Sequence, residues 1–76
     1  MAQIYQNNKV LCEVRILEIK EGYIVFSVPP LTPITDSGIH FLIDDTGNRI
    51  DIEITNIGMS YSTVSTNDIV VRAFIM

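Results

Sequence analysis

Apolar and polar residues alternate with a period of two in the first third of the chain. Over residues 9–20 the apolar positions are mainly even-numbered as far as Ile16, and the series moves to odd numbers at Leu17. The period predicts a half-buried strand, and the change of parity predicts a β-bulge or the end of that strand. Gly22 then marks a turn. Residues 23–28 predict a second strand that directs Ile24, Phe26 and Val28 inward.

A second hairpin is predicted in the middle of the chain, where two apolar stretches flank a polar turn. We expect the inward residues to be Ile39, Phe41 and Ile43 on the first strand and Ile50, Ile52 and Ile54 on the second. This register leaves a four-residue loop, 45–48, in which Gly47 takes a positive φ. It also places His40 opposite Glu53 on the outer face.

The remaining segments are a stiff connector, a polar stretch and a final strand. The connector, 29–33, contains all three prolines, which stop a sheet ladder because proline has no backbone donor. Within the polar stretch that follows the second hairpin, Tyr61 and Val64 are candidates to anchor a short irregular strand. Residues 69–76 predict a last, apolar strand.

The composition agrees with an all-β fold. The chain of 76 residues contains 13 Ile and 7 Val, whose branched side chains favour strands over helices. No stretch has the spacing of an amphipathic helix. We therefore predict one domain, 1–76, made of five to six short antiparallel strands that form a small barrel or a curled sheet.

Charge and cysteine content exclude several classes of function. The net charge is −4, and the five basic residues are scattered, so binding to a nucleic-acid backbone or to an anionic membrane surface is disfavoured. One cysteine excludes an internal disulfide framework and a cysteine-rich zinc site. No apolar run is long enough to span a bilayer, and no secretory leader opens the chain, so we expect a cytoplasmic location without membrane contact.

The residues that carry chemistry do not form a catalytic set. His40 is the only histidine, and its expected partner Glu53 has no Ser or Cys nucleophile beside it. Cys12 is expected inward as a small apolar residue. Asp51 and Glu53 lie on one side of a strand, but a filled barrel offers no cleft between them. Residues 44–48 invite a calcium hypothesis, although a capped turn explains them better. We expect no enzyme activity, metal or cofactor.

The second half of the chain resembles the second-domain β-barrel of translational GTPases, the elongation-factor-Tu-like domain 2. The resemblance covers residues 23–76 and is carried by the apolar spacing and turns of Ser37-Gly38-Ile39, Leu42-Ile43, Gly47-Asn48-Arg49-Ile50, Ile52, Ile54, Ile57 and Val64-Ser65-Thr66-Asn67-Asp68-Ile69-Val70-Val71. Asn67 stands where that family usually has glycine, and the glycine-rich signature of its first strand is missing around Val14. The resemblance implies a barrel fold and, as an alternative function, a stand-alone barrel in a translation or ribonucleoprotein setting.

The primary functional hypothesis is a non-catalytic interaction or assembly module, such as a small adaptor, inhibitor or structural subunit. Both faces of the last strand are mostly apolar, which indicates a strand covered on both sides. The cover over its outer side chains is the segment around Ile4-Tyr5, another protein or a second copy of the chain, and we favour self-association. Outward apolar and tyrosine side chains extend this surface. The expected partner-binding residues are Tyr23, Val25, Leu42, Val70, Phe74 and Met76.

Overall fold

The computed structural model describes residues 1–61 and 67–76, and within them the chain forms six β-strands and no helix. The strands are β1 (Ala2–Gln6), β2 (Lys9–Lys20), β3 (Tyr23–Val28), β4 (His40–Ile43), β5 (Arg49–Ile57) and β6 (Ile69–Ile75). All pairs are antiparallel, and the sheet closes into a barrel in the order β1-β2-β3-β6-β5-β4. The all-β prediction is confirmed, and of its two alternatives the architecture is the barrel rather than the curled sheet. Val64 lies outside the described residues.

The long strand β2 pairs with a different neighbour along each of its halves. Its first half pairs with β1, from Lys9 to Val14, and its second half pairs with β3, from Arg15 to Lys20. The register with β3 shifts at Leu17, which is the bulge that the change of parity predicts. A similar shift occurs opposite β1, at Leu11. Bulges bend a strand and increase its twist, which allows one strand to pass from one neighbour to the next around a small barrel.

The core fills the barrel with inward side chains from all six strands. The β3 prediction is confirmed, because Ile24, Phe26 and Val28 are at most 1% exposed. Ile34 joins them from the connector between β3 and β4, where backbone hydrogen bonds from Thr32 to Pro29 and from Ile34 to Thr32 fold the chain inward. The core consists of Ala2, Ile4, Val14, Ile24, Phe26, Val28, Ile34, Leu42, Ile52, Ile54, Val71 and Ala73.

The β4–β5 hairpin differs from its prediction by one residue of register. His40 pairs with Ile52, and Ile43 pairs with Arg49. Because side chains alternate with a period of two, this shift exchanges the faces of β4. His40 and Leu42 point into the barrel, whereas the predicted inward residues Ile39, Phe41 and Ile43 lie outside the core cluster, although Phe41 is buried. The predicted inward positions of Ile52 and Ile54 on β5 are confirmed.

The loop of this hairpin explains the shift. The Asp44 amide donates to the Asn48 carbonyl at 3.0 Å, so Asp44 pairs across the ladder and the loop shortens to three residues. The Asp44 Oδ1 atom accepts three hydrogen bonds, from the Thr46 amide, the Thr46 hydroxyl and the Asn48 amide, at 2.8–2.9 Å. These bonds hold the pKa of Asp44 below its ordinary value, chiefly through the Thr46 hydroxyl. The carboxylate therefore acts as a turn cap.

Gly47 occupies the left-handed position of this loop, with a φ of 87°. A Cβ atom built there meets no other atom within 4 Å, so backbone strain is the only penalty for a side chain. We expect Gly47→Val to lower the free energy of unfolding by about 1 kcal/mol or more, measured by chemical denaturation. Gly47→Asn is the matched control and should lose less free energy of unfolding, because asparagine tolerates this conformation. Equal losses for the two variants would contradict this account of the turn.

Candidate interaction surface

His40 lies inside the barrel rather than on its outer face. Its side chain is 2% exposed, and its neighbours across the sheet are Gln6 and Ile52. The predicted pairing of His40 with Glu53 is wrong, because His40 lies opposite Ile52 in the ladder between β4 and β5. The His40 Nε2 atom has no hydrogen-bond partner among the described residues. A histidine shut off from solvent in this way cannot exchange protons with a substrate on the surface.

The surroundings of His40 favour its neutral form. Burial lowers its pKa from the ordinary value of 6.5, against the opposing effects of a hydrogen bond to the Gly38 backbone and of the Asp36 carboxylate. The ring is therefore neutral at neutral pH. It acts as a polar side chain within the apolar core.

The other reactive groups are separate from one another. Cys12 packs against the core as predicted, and burial raises the pKa of its thiol while a hydrogen bond to Thr32 lowers it. Asp51 forms an ion pair with Arg49 at 2.9 Å on the exposed outer face. Over residues 1–61 and 67–76, no group of three or more His, Cys, Asp and Glu is placed to hold a metal ion.

The predicted partner-binding residues divide into two groups. Leu42 is fully buried in the core, so its predicted outward position is wrong. Val25 and Val70 lie outside the core cluster but are only 2% and 3% exposed. Tyr23 is half-buried, while Phe74 and Met76 are exposed. Three of the six residues are therefore accessible to a partner.

Val25 is enclosed by the side chains around it on the outer face. Its neighbours across the sheet are Glu18 on β2 and Arg72 on β6. The Tyr23 hydroxyl donates to the Glu18 carboxylate at 3.2 Å, and the Arg72 guanidinium lies 4.5 Å from the centre of the Tyr23 ring. Tyr23 thus contacts both neighbours of Val25, Glu18 through a charge-assisted hydrogen bond and Arg72 through a cation–π interaction.

Another segment of the chain lies beside β6 near Val70. The amides of Gly58 and Met59 both donate to the Val70 carbonyl, at 2.8 Å and 3.2 Å, so the segment after β5 lies alongside the start of β6. The segment around Ile4-Tyr5 does not lie over β6, because β1 pairs with β2 and β4. One of the three covers considered for β6 is therefore excluded.

Three side chains at one end of the barrel form what we term the C-terminal surface: Tyr23, Phe74 and Met76. Phe74 and Met76 are 49% and 79% exposed. Phe74 lies between Tyr23 on β3 and Glu53 on β5.

The backbone beneath the C-terminal surface is fixed on both sides. The Ile75 amide donates to the Gly22 carbonyl, and the Met76 amide donates to the Asp51 carbonyl, each at 2.9 Å. The exposed side chains are thus carried by an ordered ladder rather than by a loose tail. Ile19, which is 54% exposed near the end of β2, pairs with the core residue Ile24 and so lies on the opposite face of the sheet from Tyr23 and Phe74. It was not among the predicted partner-binding residues.

A second aromatic set lies on the other side of the barrel. The rings of Tyr5 and Phe41 stack at 4.8 Å between centroids with an angle of 7°, and the Arg49 guanidinium lies 3.8 Å from the Phe41 centroid. Phe41 is only 7% exposed, so its neighbours already cover it. The sequence did not predict this stack, because the expected register turned Phe41 inward.

Leu31 is the most exposed of the large apolar residues, at 97%, and it lies in the connector at the opposite end of the barrel from Phe74. Its φ is 67°, a conformation that bulky side chains rarely adopt. The turn is closed by the Thr32 amide and hydroxyl, which both donate to the Pro29 carbonyl, at 3.3 Å and 2.6 Å. A leucine thus occupies a turn position that normally holds glycine or asparagine.

No known protein family matches the chain, and no curated protein or solved structure matches it significantly. The resemblance to translation-factor barrels extends only to the architecture, a closed barrel of six antiparallel strands. The described residues form no helix long and apolar enough to cross a membrane.

The burial of His40 predicts a pH-dependent stability. Its folded-state pKa is lowered, so below about pH 6.5 the unfolded chain binds a proton that the folded chain resists. The free energy of unfolding should be highest above that pH and fall as the pH decreases below it. In urea denaturation over this pH range, the free energy of unfolding of His40→Leu should change less with pH than that of the wild type. Identical slopes for the wild type and the variant would contradict this role of burial.

The strained position of Leu31 predicts an unusual gain in stability. Leu31→Asn should raise the free energy of unfolding by about 0.5 kcal/mol, because asparagine tolerates the left-handed conformation and no buried contact is lost. Leu31→Val, the matched control, should lower it, since branching at Cβ increases the strain. Thermal or chemical denaturation measures both. A loss of stability in Leu31→Asn would show that the leucine side chain supports the fold.

Proposed function

We propose that this chain is a non-catalytic protein-interaction or assembly module that binds another protein, or a second copy of itself, through the C-terminal surface. The observation that carries the proposal is the exposure of Phe74 and Met76, at 49% and 79%, on a strand whose backbone is bonded on both sides. Aromatic and methionine side chains are enriched where proteins contact one another.

The rigidity of this surface favours binding. A partner that covers Phe74 and Met76 removes apolar area from water without first ordering their backbone. Tyr23 beside them is held in place by Glu18 and Arg72, so its ring loses little freedom on contact. The surface thus combines an aromatic anchor, an adaptable methionine and a polar rim that includes Glu53.

The absence of catalysis is part of the proposal and is supported by the placement of the reactive groups. His40 is buried, and Asp51 is paired with Arg49 on an exposed face. None of the contacts described for these two groups is with a serine or cysteine nucleophile, which a catalytic set of this kind would require.

The translation or ribonucleoprotein alternative requires basic side chains to be available to phosphates. Arg49 and Arg72 both lie over aromatic rings of the chain itself, and Arg49 also pairs with Asp51. Together with the net charge of −4, these contacts favour a protein partner over a nucleic acid.

The proposal predicts that replacing Phe74 and Met76 together by serine leaves the β-barrel folded and abolishes its association. Circular dichroism checks the fold, and light scattering after size exclusion, together with affinity capture from native lysate, measures association. Leu31→Asn is the control, since it removes an even more exposed apolar side chain at the opposite end of the barrel.

Three outcomes would contradict the proposal. Unfolding of the double variant, with a wild type that is monomeric at every concentration, would assign Phe74 and Met76 to the fold. Equal loss of association in Leu31→Asn would show that the chain associates through any exposed apolar side chain, without a specific surface. Strong, salt-sensitive retention of the wild type on heparin or RNA resin would favour the nucleic-acid alternative.

A further inference from the structure

The second half of β2 has one edge without a strand partner among the described residues. The ladder with β1 ends where Ala2 pairs with Val14, and β2 then continues to Lys20 with pairing to β3 alone. On the β1 side of this overhang, a groove of about 240 Å³ opens between Met1 and Ile16. Unpaired amides and carbonyls along a strand edge form a template for another strand.

The overhang carries a bulge and charged side chains, which usually protect an edge, but their arrangement leaves its last three residues able to pair. The bulge at Leu17 lies before its last three residues, which return to regular pairing with β3 from Glu18 to Lys20. Those three residues are the acidic Glu18, the apolar Ile19 and the basic Lys20. Ile19, at the centre, is 54% exposed at the rim of the barrel.

We propose that this edge binds the same edge of a second copy of the chain, antiparallel, about a two-fold axis through Ile19. The proposal rests on the assembly role proposed above and names the partner and its mode of pairing. With Ile19 on the axis, Glu18 faces Lys20 of the partner subunit, and Lys20 faces Glu18 of the partner subunit. Two attractive charge pairs thus flank one apolar pair.

Neighbouring registers lack this complementarity. An axis through Glu18 sets two carboxylates against each other, and an axis through Lys20 sets two ammonium groups against each other. A shift by half a residue places Glu18 opposite Ile19, which leaves both charges without a partner across the strands. The order of the three residues therefore selects a single self-complementary register.

The β2 edge and the C-terminal surface can be tested independently. The edge lies on the side of β2 away from β3, whereas Phe74 and Met76 belong to β6 and the residue beyond it, on the far side of β3. A short edge-to-edge contact buries less area than a standard interface, so dimerisation should depend on protein concentration.

Charge exchange tests the register directly. In sedimentation equilibrium of the full chain at low salt, the wild type should dimerise with increasing concentration. Lys20→Glu should weaken the dimer about tenfold, because it sets acids opposite each other in both pairs. The double variant Glu18→Lys/Lys20→Glu should restore the dimer, since it exchanges the charges. Lys9→Glu is the control, because it makes the same change on the half of β2 that β1 already covers.

A mixing experiment removes the effect of net charge. Glu18→Lys and Lys20→Glu, each weakened alone, should form a heterodimer when combined, because both pairs then join opposite charges. Circular dichroism of each variant controls for the lost Tyr23–Glu18 hydrogen bond.

Several results would overturn the inference. These are a wild type that stays monomeric, equal weakening by Lys9→Glu and Lys20→Glu, or no heterodimer on mixing. If replacement of Phe74 and Met76 abolishes association while Lys20→Glu has no effect, the C-terminal surface is the interface. The proposed function then stands, and the pairing through β2 is wrong.

Discussion

The hydrogen bonds that the Asp44 carboxylate accepts from Thr46 and Asn48 determine which face of β4 points into the barrel. They close the loop one residue tighter than a four-residue turn, and every side chain of β4 follows. Leu42 then completes the core against Ile4, and Phe41 turns outward onto Tyr5. Since β4 pairs with β1 as well as β5, a different loop would disturb the closure of the whole barrel.

The cost of this register is a buried histidine. A polar ring atom without a partner in the core destabilises the folded state. The barrel tolerates it because the same face carries Leu42, whose burial is favourable, and because the neutral ring needs no counter-charge. All residues on one face of a strand turn inward together, so the buried face is set by their combined free energy. One unfavourable residue, here His40, does not decide which face is buried.

The elements that the sequence predicted correctly are those in which one local signal dominates. The parity change at Leu17 has no other simple explanation than a bulge or a strand end, and the series Ile24, Phe26 and Val28 has no apolar rival of equal size on the other face. On β4 the apolar pattern favours the face of Phe41 and Ile43, but the hydrogen bonds of the turn, which an alternation rule does not include, select the face of His40 and Leu42. Val25 and Val70 lie outside the core cluster, on the outer positions expected of them, but the sequence did not predict how little of each is exposed. Residues distant along the chain lie beside both, Arg72 opposite Val25 and Gly58 bonded to the Val70 carbonyl.

The length of β2 has two opposite consequences. Twelve residues allow the strand to bend past its bulges and join β1 to β3, which closes the barrel. The same length carries its last residues beyond the end of β1, where the edge has no strand partner among the described residues. Proteins usually protect such an edge with charged side chains, lysine above all, and with bulges. Here Glu18 and Lys20 carry opposite signs on one face, and opposite signs at alternate positions attract an antiparallel copy rather than exclude it. The feature that closes the barrel therefore also supplies the surface on which two barrels can meet.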